Sequence, residues 1–447
     1  MKTLNIKGKT REKLETDKEN AFMSKEIATI YREVPLDIEF EGIKYLGTNE
    51  KELASIYEEL EFYSLLKNFD RKSTEEKNIE FKEIKDINEV KLGNEVSIYL
   101  ELDEENYHKG NILGIGVSDK EHNYYIESSM LKDLIPLLKG KVVYTYNAKA
   151  LEIIMRRNNL ELAPVNYDLM IAAYLVNAFT KDDIAYLMNP QMYRVEFYEN
   201  NAKNNFADKE KLKKEIVLKS RFIYDTRDTY INELKKEAMY ELFANIEMPL
   251  TYVLADMEYI GVPIDSNILD EIKAEAEAKL EIITKEIYNM AGCVFNISSP
   301  KQLGEVIYGK LGIAVGKKTQ KGYKTDADTL KKLIDRHPII NLILEYRNFS
   351  KILSTYTISL ENAKFPDNKI HTIFKQTLTR TGRLSSVEPN LQNIPIRGEE
   401  GRKVRRAFIP SNDLFLSIDY SQIELRILAH ISDSKELIEA FKNGQDI

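Results

Sequence analysis

The stretch from residue 95 to residue 177 constrains the fold most, because its hydrophobic pattern changes period in a definite order. Glu95–Leu102 alternates as a β-strand does, with its apolar residues on one side, namely Val96, Ile98, Leu100 and Leu102. The pattern then predicts strands at Ile112–Val117 and Tyr124–Ile126, a helix at Leu131–Leu138, a strand at Lys141–Tyr146, and helices at Ala148–Asn158 and Asp168–Asn177. This order indicates an α/β domain.

Three strands followed by alternating helix and strand is the order of a ribonuclease-H-like fold. On the N-terminal side, Lys18–Arg32 and Glu50–Leu66 have helical apolar spacing, and the polar run Asp70–Lys77 is typical of a linker. From Glu233 the chain is mostly helical, and Ser266–Met290 predicts one long amphipathic helix. We therefore expect an α/β and α+β multidomain protein divided at residues 1–75, 76–235 and 236–447.

Composition bounds the setting in which the chain works. Cys293 is the one cysteine, so no internal disulfide can form and a reducing compartment is favoured. No apolar run approaches the ~18 residues of a membrane span, and the N-terminus lacks the apolar core of a signal peptide. These features predict a cytoplasmic protein with no membrane contact.

Charge argues in two directions. The net charge of −8 disfavours a nucleic-acid partner, but phosphate binding depends on local charge. The segment from Lys375 to Arg406 holds eight basic and three acidic residues, a net charge of +5. The loop Gly316–Gly322 adds three lysines that could touch phosphates. For both segments, an ordinary solvated basic surface is the alternative explanation.

The most informative stretch follows Leu414–Ile418, an apolar run that predicts a buried strand. Asp419 stands at its end, immediately before a helical pattern. A carboxylate at the end of a strand projects into the mouth of a sheet, where it can hold a divalent cation for phosphoryl or nucleotidyl transfer. The alternative is that Asp419 caps the following helix.

The neighbouring residues distinguish these alternatives. Asp419-Tyr-Ser-Gln-Ile-Glu-Leu-Arg426 resembles motif A of the family A DNA polymerases, and Thr379–Ser386 with Pro389–Pro395 resembles that family's conserved segment ahead of motif A. The likeness extends over nearly the whole chain, through Ile246–Leu250, Gly261–Asp265 and Lys25–Leu36. Lys25–Leu36 resembles the tail of the family's 5′ nuclease domain. Arg380 departs from the pattern, because the family usually has a small residue there.

The resemblance implies specific roles. Asp419 would ligate two catalytic Mg²⁺ ions, with the Tyr420 carbonyl as a further ligand. Tyr420, Ser421, Gln422 and Glu424 would bind the deoxynucleoside triphosphate, and Glu424 would exclude a 2′-hydroxyl. Arg383 would reach the minor groove near the primer end. Thr381, Asn390, Gln392 and Asn393 would hold primer-template DNA, although the asparagines and glutamine could instead bond within their own loop.

The resemblance also assigns the three regions. Residues 1–75 would be the remnant of the 5′ nuclease domain and a linker, residues 76–235 a 3′→5′ exonuclease-like domain, and residues 236–447 a helical thumb and the first part of a palm. An active exonuclease has Asp-x-Glu on its first strand, where this chain has Tyr99 and Glu101. The second motif falls at Tyr146–Ala150 without its Asp, and the third at Arg221–Asp225, where Asp225 alone would survive. We expect no exonuclease activity.

Two functions remain open at this point. The first is template-directed DNA synthesis by a monomeric bacterial protein associated with the nucleoid. The family's fingers helix and second catalytic carboxylate would lie beyond Ile447, so we expect the isolated chain to be unable to polymerise. The second is a non-catalytic module that holds duplex DNA.

Overall fold

The computed structural model describes residues 15–30, 49, 52–53, 56–57, 77–313, 318–319, 322–394 and 399–445. By backbone contacts the chain divides into two compact units, Met1–Thr74 and Glu75–Ile447. In the first unit, helix α1 spans Lys18–Ala28 within the predicted stretch and carries no buried side chain. The predicted helix Glu50–Leu66 falls outside the described residues except at four positions. None of the described helices has the length and apolar character needed to cross a membrane.

The second unit begins with the predicted α/β region. Its elements are β1 Lys82–Glu83, β2 Glu95–Leu102, β3 Ile112–Ser118, β4 Asn123–Ile126, α2 Leu131–Leu138, β5 Val142–Thr145, α3 Ala148–Arg157, β6 Tyr167–Asp168 and α4 Leu169–Val176. Six strands of the described chain form one sheet in the order β1-β4-β3-β2-β5-β6. Strands β2, β3 and β4 pair antiparallel, while β5 runs parallel to β2. The predicted ribonuclease-H-like order is confirmed.

One long helix crosses this sheet. After α5 Ala185–Met188 and α6 Tyr198–Lys203, helix α7 spans Lys209–Lys236 and packs against β2, β3 and β4. The helix backbone comes very close to Gly116 of β3, where an added Cβ would lie 2.5 Å from the carbonyl oxygen of Ile216. Glycine is therefore required at this crossing. The close approach brings the side chains of α7 over the centre of the sheet.

The chain then becomes helical, as predicted. The elements are α8 Tyr240–Leu242, α9 Met248–Ile260, β7 Val262–Pro263, α10 Ser266–Ala291, α11 Pro300–Gly304, β8 Lys318–Thr319, β9 Gly322–Tyr323, α12 Ala327–Lys331, α13 Ile339–Lys351 and α14 Ser359–Ala363. Segments of π-helix, Phe243–Glu247, Glu305–Lys310 and Ile352–Ile358, extend or join these helices. The long helix predicted at Ser266–Met290 is α10, and its buried face builds a second hydrophobic core.

The sequence Ser299-Pro-Lys-Gln302 has the pattern of a helix capping box, and the structure forms one half of it. Ser299 caps α11 by accepting from the Gln302 backbone N–H at 3.4 Å. The Gln302 side chain accepts from Asn296 N at 2.7 Å rather than from Ser299, so the reciprocal half of a capping box is absent there. Of the loop Gly316–Gly322, the structure describes the backbone of residues 318, 319 and 322, which belongs to the hairpin β8–β9. A phosphate contact from its lysines stays a prediction.

The last part of the chain carries the residues of most interest. Its elements are β10 Lys369–Ile370, β11 Ile373–Lys375, β12 Ser385–Val387, α15 Glu399–Arg406, α16 Ile423–Ser432 and α17 Lys435–Lys442. Strand β10 pairs with β7, and β11 pairs with β12.

The prediction of a buried strand at Leu414–Ile418 is wrong. No strand among the described residues pairs with this segment, so its backbone belongs to no ladder. Without a neighbouring strand, its apolar side chains have no sheet face to pack on, and Leu416 and Ile418 are 79% and 84% exposed.

Candidate functional site

Asp419 lies on an exposed, irregular segment directly before α16. Gln422 has a positive φ of 52°, which turns the chain into the helix, and Gln422 rather than Asp419 occupies the N-cap position. Arg426 Nε donates to the Ser421 carbonyl at 2.9 Å and holds this turn against the helix. Glu424 stands in the first turn of α16. The carboxylates of Asp419 and Glu424 therefore both lie at the solvent-exposed N-terminal end of this helix.

The two segments that resemble polymerase motifs meet at a single ion pair. Arg383 Nη2 lies 3.4 Å from Glu424 Oε1, although the two residues are 41 positions apart. Arg383 follows Gly382, whose φ of 74° makes a turn, and Thr379 Oγ1 closes that turn by donating to the Arg383 carbonyl at 2.6 Å. Thr381 Oγ1 lies 3.4 Å from Thr379 Oγ1 in the same turn. The structure thus brings Thr381, Arg383 and Glu424 to one surface.

Asn390 and Gln392 of the next segment make bonds within their own loop, whereas Asn393 bonds to a residue outside it. Asn390 Oδ1 accepts from Gln392 N at 3.0 Å and starts the short 3₁₀ turn Leu391–Asn393. The Gln392 side chain accepts from Ser386 N at 3.3 Å and donates to the Leu384 carbonyl at 3.2 Å. The Asn393 carbonyl accepts from Tyr356 OH at 3.1 Å. These bonds shape the loop after β12, and contact with DNA stays a prediction for all three residues.

The residues present do not fit a pair of metal ions. In the described part of the chain, no group of three or more His, Cys, Asp or Glu side chains could hold a metal. The Asp419 carboxylate and the Tyr420 carbonyl offer oxygen ligands of the kind that Mg²⁺ prefers, but a two-metal site needs more than one carboxylate to offset the repulsion between the cations.

A second candidate site is the cavity at the predicted exonuclease motifs. It measures about 240 Å³ and lies between β2, the turn that starts α3 and helix α7. The residues predicted at the first two exonuclease motifs all border it, namely Tyr99, Glu101, Tyr146 and Ala150. The structure therefore brings those positions together as a site, with Glu101 as the surviving carboxylate of the two motifs.

Glu101 is neutralised by a lysine that the sequence did not single out. Its buried carboxylate forms an ion pair with Lys219 of α7, and both side chains are almost fully buried. Lys219 Nζ also lies 5.1 Å from the centre of the Tyr99 ring. Burial disfavours the ammonium most strongly, but the charge of Glu101, the interaction with Tyr99 and the hydrogen bond to Glu101 together outweigh burial, and the pKa of Lys219 is raised. A fixed cation thus lies against the carboxylate that the resemblance would assign to a metal ion.

The predicted position of the third exonuclease motif is wrong. The residue of α7 that faces Glu101 is Lys219, whereas Asp225 pairs with Arg221 and Tyr193 OH and does not line the cavity. A helix turns about 100° per residue, so a position six residues beyond Lys219 points away from Glu101. Lys219 stands three residues from Ile216 and from Phe222, both fully buried, and this apolar spacing is the signal that could have revealed it.

The comparisons with known proteins agree with this architecture. Residues 266–447 match the family model described as DNA polymerase family A, and residues 98–226 match that of DNA polymerase I, ribonuclease H-like domain. Fold and site thus define a protein in which a ribonuclease-H-like domain precedes a polymerase-type domain. Residues 266–447 belong to the family A DNA polymerases.

Individual relatives support the same assignment. DNA polymerase I of Bacillus subtilis is 38% identical over 98% of this chain and 52% of its own length, and that of Lactococcus lactis subsp. cremoris is 40% identical over 98% and 51%. The POL domain of Pol1 from M. smegmatis, solved in complex with DNA primer-template and dNTP, superposes with a TM-score of 0.68 at 31% identity, covering 79% of this chain and 62% of that one. The chain spans about half the length of the curated relatives it matches.

Proposed function

We propose that this chain serves template-directed DNA synthesis of the DNA polymerase I kind, in bacterial replication and repair. The observation that carries the proposal is the pair of Arg383 and Glu424, because it joins the primer-side segment to the segment of Asp419 at one exposed surface. The structural relative solved with primer-template and dNTP adds support, since the ligands in its title are those that the predicted residues would bind.

Each residue of this surface would have a distinct part. Arg383 would contact the primer end through the minor groove, where acceptors occur at similar places in all correct base pairs. Glu424 would pack beneath the sugar of the incoming deoxynucleoside triphosphate. Asp419, with the Tyr420 carbonyl, would provide oxygen ligands for Mg²⁺, which lowers the barrier to nucleotidyl transfer when it is bound. We further propose that the protein acts as a monomer on nucleoid DNA in the cytoplasm.

The test is primer extension with a matched pair of variants. Asp419→Ala and Asp413→Ala remove exposed aspartates six residues apart on the same segment. The variants are made in a chimera that joins this chain to the part of Bacillus subtilis DNA polymerase I that follows the matched region, because the isolated chain is not expected to polymerise. Primer-template, Mg²⁺ and all four deoxynucleoside triphosphates are supplied, and the protein is freed of host polymerase. Extension that persists in Asp413→Ala and disappears in Asp419→Ala supports the proposal. Extension that survives Asp419→Ala overturns the role of Asp419.

A second candidate function is duplex binding without synthesis. It is favoured by the lack of a metal-binding group of three side chains in the described residues. Fluorescence anisotropy with a labelled primer-template hairpin separates the two functions. Binding that is never accompanied by incorporation, in the wild type as well as in the variants, supports the second function for this chain.

A further inference from the structure

The exonuclease-like domain holds one segment of the polymerase domain at successive points. Residues 374–388 include the last two residues of β11, the turn with Thr381 and Arg383, and β12. Residues between 106 and 182 contact this segment along its length, and the contacts are Lys149 with Phe374, Asp182 with Lys375 and Thr377, Tyr174 with Thr379, Phe179 with Arg380, and Asn106 with Glu388.

The contacts begin at a buried charge cluster. Glu258 of α9 pairs with Lys149 of α3 and lies 3.2 Å from His108 Nε2, and Tyr107 OH donates to it at 2.8 Å. The same carboxylate accepts from Phe374 N at 2.7 Å, while Lys149 Nζ donates to the Phe374 carbonyl at 2.6 Å. Both polar groups of the Phe374 backbone are therefore fixed by one buried ion pair, and one member of that pair belongs to the exonuclease-like domain.

Asp182 binds the segment closer to the turn of Thr381 and Arg383. Its two carboxylate oxygens accept from two different residues of the segment, Lys375 Nζ at 2.7 Å and Thr377 Oγ1 at 2.9 Å. A bidentate acceptor of this kind fixes the direction of the strand as well as its position. Asp182 lies in the loop before α5, at the edge of the cavity that contains Glu101.

The last contacts reach the turn itself and the far end of the hairpin. Tyr174 OH of α4 donates to the Thr379 carbonyl at 2.7 Å. The Arg380 guanidinium stacks 4.0 Å from the centre of the Phe179 ring, which gives a structural reason for an arginine where the family usually has a small residue. Asn106 Nδ2 donates to Glu388 Oε2 at 2.6 Å.

We propose that the exonuclease-like domain, although it has lost its own catalytic carboxylates, positions residues 374–388 for primer-template binding, and that Asp182 is its principal positioning residue. The domain would act as a platform that holds the turn of Thr381 and Arg383 in the shape that DNA requires, so that less conformational entropy is lost when DNA binds. The expected effect on DNA affinity rests on the proposed function, whereas the expected effect on the opening of residues 374–388 does not.

The test combines two measurements on the full chain. Hydrogen exchange reports the opening of residues 376–388 without DNA, and anisotropy with a primer-template hairpin reports the Kd. Loss of the charged contacts in Asp182→Ala should speed exchange in this segment and raise the Kd by about three- to tenfold. Asp182→Asn keeps one acceptor oxygen and should give an intermediate effect. The exposed Asp133 of α2 is the control, and Asp133→Ala should change neither quantity.

Two further variants make the outcome decisive. Arg383→Ala should raise the Kd with little change of exchange, because it removes the expected DNA contact and an exposed ion pair with Glu424, but no bond to the exonuclease-like domain. If Asp182→Ala does not fold, Thr377→Val removes the hydrogen bond between Thr377 and Asp182 by changing the donor, with little change of side-chain volume. Exchange in Asp182→Ala or Thr377→Val at the wild-type rate overturns the proposal. A wild-type chain that binds no duplex contradicts the proposed function, and the exchange comparison still decides whether the platform exists.

Discussion

The ammonium of Lys219 and the carboxylate of Glu101 form an ion pair inside the exonuclease-like domain, at the position that resembles the family's first exonuclease motif. A buried pair of this kind is costly to break, because the partner that remains is an uncompensated charge in a medium of low dielectric. Glu101 is therefore the counter-ion of a core lysine.

We predict that the chain has no 3′→5′ exonuclease activity. Glu101 is held by Lys219, and the positions expected to carry aspartates are Tyr99 and Ala150, so the ligands for two metal ions are missing. Labelled single-stranded DNA incubated with the protein and Mg²⁺ or Mn²⁺ should keep its length. Shortening from the 3′ end that disappears in Glu101→Ala would contradict this prediction.

Single and double substitutions at Glu101 and Lys219 should lower the free energy of unfolding by very different amounts. Glu101→Ala leaves Lys219 buried and unpaired, and we expect it to lower the free energy of unfolding by about 3–5 kcal/mol. Replacing both residues, as in Glu101→Leu with Lys219→Met, removes the charge imbalance and should cost less than Glu101→Ala alone. Urea unfolding of the three proteins measures the difference. A double variant less stable than Glu101→Ala would show that the pair is not the source of the loss.

The sequence predicts elements well where the pattern is local. Helix α2 begins and ends at the predicted residues, and β2, β3 and α10 match their predicted bounds to within one residue, since alternation and helical spacing are decided by neighbours in the chain. The apolar run Leu414–Ile418 fails for the opposite reason. Burial of a strand requires a partner elsewhere in the chain, and the run itself has no information about that partner.

The candidate sites show the same limit. Asp419 and Glu424 were found because their motif is contiguous, but the contact of Glu424 with Arg383 depends on the fold between them. The burial of Lys219 is not predicted, because lysine is usually a surface residue. Only the buried neighbours of Lys219 on α7 indicate that it lies in the core. The contacts of Asp182 with Lys375 and Thr377 join parts of the chain about 190 residues apart, and periodicity does not predict such contacts.

Stability should also fall at mildly acidic pH because of His108. Burial lowers the pKa of His108 from its usual 6.5, although Glu258 opposes this shift, and Lys149 and His371 add to it. The unfolded chain therefore binds the proton more readily than the folded one. The free energy of unfolding should decrease as the pH falls below about 6.5, by at most about 1.4 kcal/mol per pH unit, and this decrease should end below the folded pKa.

His108→Gln tests this dependence, with His430→Gln at an exposed position as the control. Urea unfolding at pH 7.5 and pH 5.5 gives the loss of stability for each protein. The loss should be smaller in His108→Gln than in the wild type, and unchanged in His430→Gln. Equal losses in all three proteins would assign the pH dependence to other groups.

The salt dependence of duplex binding should show which basic residues contact the DNA phosphates. Arg402, Arg405 and Arg406 of α15 are exposed, whereas Lys403 Nζ pairs with Glu275 at 2.7 Å. Each phosphate contact contributes roughly −0.9 to the slope of log affinity against log salt. Replacing the three arginines by alanine should flatten that slope by up to about 2.7, and Lys403→Ala should change it little. An unchanged slope in the triple variant would place the phosphate contacts elsewhere.

The last prediction concerns Glu424, whose contact with Arg383 is exposed on both sides. Ion pairs of this kind contribute about 0.2–1 kcal/mol, so Glu424→Ala should unfold at nearly the wild-type urea concentration. If Glu424 packs beneath the incoming sugar, a ribonucleotide collides with it, and Glu424→Ala should lower the preference for deoxyribonucleotides by about 10- to 100-fold in kcat/KM.

The matched control is Glu436→Ala, because Glu436 is exposed and stands in the first turn of α17 as Glu424 does in α16. Primer extension with single ribo- or deoxyribonucleotides measures both ratios, in a chimera that joins this chain to the part of Bacillus subtilis DNA polymerase I that follows the matched region. A ratio that stays constant in Glu424→Ala, or that moves equally in Glu436→Ala, would exclude this carboxylate as the sugar selector and leave the pair with Arg383 as a surface contact alone.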